Sequence, residues 1–222
     1  EAERKRLDQQ HLVELGALSA AMAHELRNPL NIISMAAATT SPDTRQHIQQ
    51  QLKRADRLIA DLLSYAGQLQ LQCSQVPVKA MLQSVMSQQD WQGVECQLDV
   101  PDELLLWADS YRLQQVFVNL LDNALAFCRN QSHARINLSA STDADKVQLF
   151  VHNNGPAIPT EQLPGLFQPF VSKRAGGSGL GLAIVRRIMQ AHGAKVQHRS
   201  DLGWPVSFVL QFFNQQQDTE NE

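Results

Sequence analysis

From Ile48 to Leu69 the apolar residues Ile48, Leu52, Ala55, Ile59, Leu62, Ala66 and Leu69 recur in steps of four and three. That spacing lines one side of an α-helix and suits no strand, so this stretch is committed to a helix whose seam must be covered. Upstream, Leu12, Leu15, Ser19, Met22, Leu26, Pro29 and Ile33 fall on one stripe of another helical pattern, from about Leu7 to Ala38. Pro29 is expected to kink it, since proline removes a backbone donor and crowds the preceding turn. Between the two, Thr39-Thr40-Ser41-Pro42-Asp43 reads as a turn and a fresh start. Ser41 is the N-cap, Pro42 takes the first helical position and Asp43 lies beside the positive helix end. Two helices joined this way form an antiparallel hairpin too thin to bury its own seam. A second copy, completing a dimeric four-helix bundle, is the simplest cover, with the rest of the chain as the other candidate. Residues 1–71 are expected to form this unit, and the charged run 1–6 to continue into a helix upstream.

After Leu71 the periodicity changes. Residues 72–77 read as a linker and hinge. From Val78 to Phe213 helical and alternating patterns interleave: helices Val78–Gln89, Ser110–Cys128 and Gly179–His192, and strands Val94–Val100, Leu104–Trp107, Ala134–Ala140, Lys146–His152, Lys195–Arg199 and Val206–Phe212. Such a series predicts an α+β two-layer sandwich over 78–213, with Trp107, Phe150 and Phe208 as core. Residues 214–222 are a polar tail. The formal net charge of −3 gives no basic footprint for nucleic acid. No apolar run approaches the roughly 18 residues of a membrane span. Cys73, Cys96 and Cys128 form no C-x-x-C pair and read as reduced thiols without a metal, in a cytoplasmic setting.

Four places carry more than a core requires. His24 lies opposite the packing stripe of the first helix, with Asn28 one turn below and small neighbours Ala17 and Ala20 beside it. An outward neutral imidazole is a nucleophile near pH 7, and Glu25 could hold its proton; a solvated histidine beside a glutamate is the plainer alternative. Asn119 and Asn123 stand one turn apart on an otherwise apolar helix. Their amide oxygens suit a hard cation such as Mg²⁺ that also takes phosphate oxygens, or they are two buried structural amides. In His152-Asn153-Asn154-Gly155-Pro156 amides and a close-approach glycine could read the edge of a planar base, though alone the segment is a turn. Finally, Gly176-Gly177-Ser178-Gly179-Leu180-Gly181-Leu182 runs into a helix, where backbone N–H groups can meet phosphate oxygens. It is neither a P-loop nor G-x-G-x-x-G. Lys173 just ahead is a point charge for a phosphate or a solvated lysine.

In order, H-E-L-R-N-P-L, N-L-L-D-N-A, N-N-G-P-A-I-P, L-F-Q-P-F and G-S-G-L-G-L-A-I-V resemble the transmitter of a two-component sensor histidine kinase, from about Gly16 to Phe213. The resemblance implies a homodimeric histidine-bearing hairpin followed by a Bergerat-type ATP-binding domain shared with gyrase and Hsp90-like ATPases. It implies that His24 takes a phosphoryl group from Mg-ATP with Glu25 as acid/base partner and passes it to an aspartate of a response regulator. Asn28 falls where such kinases position water to dephosphorylate that regulator. Asn123 would hold Mg²⁺, with Asn119 near the phosphates. Asn153, Gly155, Lys173 and Leu182 would line the nucleotide, Gly177, Gly179 and Gly181 would hinge an ATP lid, and Phe167 and Phe170 match its aromatic pair. It further implies a cytoplasmic module of a longer, membrane-bound sensor whose sensing segment lies outside this chain. Three positions depart from the pattern. Asn153 replaces an aspartate that accepts from the adenine amino group, Ala157 replaces a glycine, and Ala126 stands at a basic position for which Arg129 could substitute. They leave open a degenerate transmitter that binds nucleotide weakly and serves as a regulator-binding scaffold or phosphatase. A gyrase-like ATPase would leave the hairpin unexplained.

Overall fold

A computed structural model describes residues 26, 28–33, 35, 42–66, 69–129, 131–171 and 177–213. The chain divides into two units, Glu1–Gln68 with Ser172–Leu180, and Leu69–Val171 with Gly181–Glu222.

In the first unit residues 28–33 are helical and helix α1 spans Pro42–Ala66. Proline opens it because that position has no intrahelical donor to lose. Residues 69–72 are not helical, so the helix stops short of the expected Leu71. Of the seam, Ala55 is buried, Ile48 and Leu62 are half-buried, and Leu52 and Ile59, seven residues apart, are exposed; Leu58 and Tyr65, which lie off the seam, are buried. On the other helical stretch Pro29 is buried while Asn28, Leu30 and Met35 are exposed.

The second unit opens with a correction. Cys73–Pro77, read as linker, is strand β1, antiparallel to β3 (Leu105–Asp109) with Cys73 opposite Asp109 and Pro77 opposite Leu105. Val76 is buried and its neighbours face out; Pro77 sits at the strand end, where a missing donor is tolerated. On β3 the alternation buries Leu106 and Ala108 and turns Trp107 outward, 57% exposed, so Trp107 is not core. Helix α2 (Val78–Ser87) follows directly and buries Val78, Met81, Leu82 and Val85.

The main sheet has the order β2-β4-β5-β7-β6 (Val94–Asp99, Ala134–Asp143, Lys146–Asn153, Val206–Phe213, Lys195–Arg199). β2 and β4 are parallel and the remaining pairs antiparallel. Register sets the two faces: Leu138, Val151 and Phe208 stand in one row, and Asn137, His152 and Ser207 in the next row on the opposite face. Helix α3 (Ser110–Cys128) packs on β4 and β5 and against α4 (Gly181–Ala191), a pairing of apolar stripes: Leu113, Phe117, Leu120 and Leu121 on one, Ile184, Val185 and Ile188 on the other. Burying each such side chain contributes about 1.5–3 kcal/mol. Phe208 lies in this core at 2% exposure; Phe150 is half-buried on the other face, stacked on His152. The outcome is the expected α+β two-layer sandwich. Among the described residues no helix is long and apolar enough to cross a membrane.

Candidate functional site

Asp109 anchors both ends of the helix pair that carries the site. It caps α3, its Oδ1 accepting from the Arg112 N–H at 3.0 Å, while Oδ2 accepts from the Gln72 N–H at 2.8 Å. Burial pushes its carboxyl up, but these two N–H donors and the Arg112 charge outweigh that and hold it below the usual aspartate range. The Asp109 N–H donates to His192 Nε2 at 3.0 Å, and His192 Nδ1 lies 2.8 Å from the Ile188 carbonyl. A carbonyl can only accept, so Nδ1 carries the proton and Nε2 the lone pair. The start of α3 is thereby tied to the end of α4. Neither residue was picked out from the sequence, although an aspartate immediately before Ser110 is an N-cap signal.

Along α3, Asn119 and Asn123 are both half-buried. Asn119 Nδ2 donates to the Gln115 carbonyl at 2.9 Å, which turns its oxygen the other way, toward the first residue of α4. A Cβ on Gly181 would lie 3.0 Å from Asn119 Oδ1 and 3.7 Å from its Cγ. Only glycine lets the N-terminal turn of α4, with its unpaired N–H groups, come this close to the amide. Leu182 follows, half-buried. Asn123 makes no side-chain hydrogen bond among the described residues. No group of three or more His, Cys, Asp or Glu is placed to hold a metal among them.

At the end of β5, Asn153 is 2% exposed. Its Oδ1 accepts from the Gly155 N–H at 3.0 Å and from the Cys128 thiol at 3.5 Å. Burial pushes that thiol up, so it keeps the proton it donates. Gly155 is hemmed in: a Cβ there would meet Asn153 Oδ1 at 2.9 Å, Phe127 Cβ at 3.3 Å and Cys128 Sγ at 3.4 Å. Asn154 is structural, its amide bridging the Arg135 N–H at 2.7 Å and the His133 carbonyl at 2.8 Å. On the opposite face His152 shares a 2.7 Å hydrogen bond with Ser207 Oγ and lies between Phe150 and Trp204, with centroids at 5.5 and 5.6 Å. Burial lowers its basicity.

Within the first unit Gly179 adopts φ +68°, a left-handed conformation that side chains resist. Ser178 Oγ donates to Asp61 Oδ2 at 2.7 Å and accepts from the Leu180 N–H at 3.2 Å. Gly177 is half-buried. Arg129, considered as a phosphate ligand, is instead held by the Asp90 carbonyl and carboxylate at 3.0 and 3.1 Å. Phe167 packs edge-on against Phe208 at 6.2 Å, and Phe170 sits at φ +63°. His24, Glu25 and Lys173 lie outside the described residues. The second unit thus brings together Asn119, Asn123, Gly181 and Leu182 on the α3–α4 pair, and Asn153 and Gly155 beside the C-terminal end of α3 (Phe127 and Cys128).

Two family models match the chain. The family described as histidine kinase-, DNA gyrase B- and HSP90-like ATPase matches residues 108–216, and the His Kinase A (phospho-acceptor) domain matches residues 14–67. The chain belongs to the two-component sensor histidine kinases, as a transmitter that joins these two domains. It is 31% identical over 214 residues to the sensor protein kinase PilS of Pseudomonas aeruginosa, covering 88% of this chain and 40% of that protein. Against the sensor histidine kinase ZraS of Escherichia coli the values are 33% over 213 residues, 90% and 45%. The chain therefore spans less than half the length of these curated relatives. A solved complex of histidine kinase ThkA with the response regulator protein TrrA has a TM-score of 0.77 at 26% identity, over 96% of this chain and 65% of that one. The histidine kinase AdeS of Acinetobacter baumannii shares the fold, with a TM-score of 0.70 at 24% identity over 86% of this chain and 97% of that one.

Proposed function

We propose that this chain is the catalytic transmitter of a sensor kinase, transferring the γ-phosphoryl group of Mg-ATP to His24 and from there to an aspartate of a response regulator. The observation that carries the reading is the approach of the Gly181 helix start to Asn119 Oδ1, one turn from Asn123. Helix N–H groups there favour phosphate oxygens. The donor set fits Mg²⁺: two neutral amide oxygens, with no carboxylate cluster among the described residues, suit a hard cation that arrives on a triphosphate and keeps water ligands. Asn123 would hold the ion and Asn119 would lie near the phosphates. Bound Mg²⁺ supplies neutralisation of the phosphate charge.

The chain's own groups do the rest. Gly155 lets the backbone approach the base and Asn153 faces its edge. Lys173 pairs with a phosphate, Leu182 lines the start of α4, and Gly177, Gly179 and Gly181 give the lid its freedom. One imidazole nitrogen of His24 attacks the γ-phosphorus in line; a P–N bond forms, the bond to the β,γ-bridging oxygen breaks, and ADP leaves. Glu25 holds the other ring N–H as positive charge develops. The phosphoramidate is then attacked by the regulator's aspartate, and Asn28, exposed on its helix, positions water to hydrolyse the acyl phosphate later. Residues 1–71 serve as the homodimer, supported by the outward Leu52 and Ile59 together with Leu30 and Met35. The ThkA–TrrA complex supports docking of a receiver domain. The module is cytoplasmic.

With saturating γ-labelled ATP, the unaltered chain takes up acid-labile label and His24→Ala takes up none. Label retained by His24→Ala, or acid-stable label on the unaltered chain, refutes the assignment. A degenerate, scaffold-like transmitter is the second reading, favoured by the amide at position 153; tight regulator binding without any label distinguishes it.

A further inference from the structure

The glycine-rich segment ahead of α4 is held by the hairpin. Ser172–Leu180 groups by its contacts with the first unit, although the chain runs straight on into Gly181 of the second. Within its described residues, 177–180, Leu180 is buried at 1% exposure and Ser178 is half-buried. Ser178 Oγ donates to Asp61 Oδ2 of α1 at 2.7 Å and accepts from the Leu180 N–H at 3.2 Å. One hydroxyl thus fastens the end of the segment to the helix with both its donor and its acceptor. On α1, Asp61 comes three residues after Leu58 and four before Tyr65, a spacing that puts all three on one stripe. Leu58 and Tyr65 are buried and Asp61 is half-buried. A carboxylate on an apolar stripe is costly unless it is hydrogen-bonded, and an O–H to a charged oxygen is among the stronger bonds open to it.

We propose that Asp61 is a positioning residue for the kinase reaction: it holds the Ser178 hydroxyl, and with it the glycine-rich segment, on α1, and this hold opposes triphosphate binding at Gly181. The proposal rests on the nucleotide-site reading above and adds a control to it. Three residues of chain lead from Ser178 to Gly181, a span of at most about 10 Å. A carboxylate bonded to Ser178 therefore stays within roughly 15 Å of the α4 N–H groups that meet phosphate oxygens on that reading. Its charge repels a triphosphate there, most strongly at low salt. Gly179, at φ +68°, is the joint at which the segment can turn once the bond is given up. Two states follow, the segment held on α1 and the segment released, and a triphosphate favours the second. A movement of α1 within the hairpin then alters nucleotide occupancy through this bond.

The test is calorimetry of Mg-ATP binding to the full 222-residue chain, unaltered and as Asp61→Ala, Asp61→Asn, Ser178→Ala and the double alanine variant. Asp61→Ala is expected to bind Mg-ATP about five- to tenfold more tightly, the order of one hydrogen bond to a charged group. Ser178→Ala tightens binding to a similar extent. The double variant is no tighter than either single one, since both changes remove the same bond. Asp61→Asn keeps an accepting oxygen and loses the charge, so it falls between. Its gain shrinks as ionic strength rises from about 0.01 M to about 0.1 M, which shortens the Debye length from about 30 to about 10 Å. A merely structural aspartate gives no gain in affinity and no such salt dependence. Asp61 has a further interaction besides this bond, so if its alanine variant fails to fold, Ser178→Ala decides alone. Unchanged or weaker binding by a folded Ser178→Ala or Asp61→Ala, or single gains that add in the double variant, overturns the proposal and leaves the nucleotide site standing. Failure of Mg-ATP to bind any of the folded chains removes the nucleotide site itself, and the control with it.

Discussion

Replacing Asp109 by alanine removes two bonds with one change, and the structure gives the size of the loss. The cap to the Arg112 N–H is worth about 1 kcal/mol, within a range of about 0.5–2. The Gln72 N–H also loses an ionised acceptor, worth about 1.5 kcal/mol because that donor can in part be rehydrated. Together these predict a loss of about 2–3 kcal/mol in the second unit. At roughly 2–4 °C per kcal/mol for a domain of this size, the midpoint falls by about 5–10 °C. Asp109→Asn keeps one accepting oxygen and should lose about half as much. The pH dependence is a second signature. Held below its ordinary value of 3.8, the carboxyl binds fewer protons folded than unfolded in the acid range. Its contribution is therefore complete at neutral pH and disappears as pH falls through the folded-state value. Urea unfolding followed by circular dichroism and tryptophan emission should show a gap between unaltered chain and alanine variant that is constant from about pH 7 to 5 and closes below about pH 4. Equal midpoints at pH 7, or a gap that widens in acid, would refute the assignment of Asp109 as the double anchor.

Gly181→Ala puts a methyl 3.0 Å from Asn119 Oδ1, so the amide or the helix start must yield. Triphosphate affinity should drop about tenfold or more, roughly 1.4 kcal/mol, with little change in thermal midpoint because alanine is the better helix former by up to about 1 kcal/mol; calorimetry finding unchanged affinity counts against the site. His152, made less basic by burial, favours the folded state above the unfolded value of 6.5 and loses that contribution as pH falls toward its lower folded value. His152→Gln should flatten the stability profile between about pH 6.5 and 5, leaving a residual slope from His198, which burial lowers likewise; an unchanged slope in urea titrations would refute it.

What could be read from the sequence was what neighbours in sequence decide. The apolar face of Ser110–Cys128 determines its own helix, and the motif asparagines inherit their one-turn spacing from it. The stretch 72–77 was misjudged because Cys-Ser-Gln-Val-Pro has little strand character of its own; it becomes β1 only because residues 105–109 supply the facing ladder. Trp107 shows the same dependence, since nothing local says which face of that ladder is covered. The helix at 181–191 begins two residues later than expected, because Gly179 takes a left-handed conformation that ends any continuous helix upstream. Most instructive is Asn153. The segment suggested an amide that reads the edge of a base, yet its Oδ1 is engaged by Gly155 two residues on and by Cys128, 25 residues earlier on another element. Spacing along the chain cannot encode that.

The choice of amides at 119 and 123 has a consequence that carboxylates in those positions would not give. Two ionised side chains one turn apart would repel each other and the triphosphate, and would attract a divalent cation in the absence of nucleotide. Neutral oxygens ligate too weakly to hold Mg²⁺ alone, as suits a region where no three acidic or histidine side chains converge among the described residues. On the proposed reading metal and triphosphate would arrive together, with the start of the helix at Gly181 turned to phosphate oxygens. Asp109 bears on this from a distance. By fixing the start of α3 to the end of α4 through His192, it holds the amide-bearing face and the glycine-led turn in register, so that loosening the cap should weaken nucleotide binding without touching a ligand.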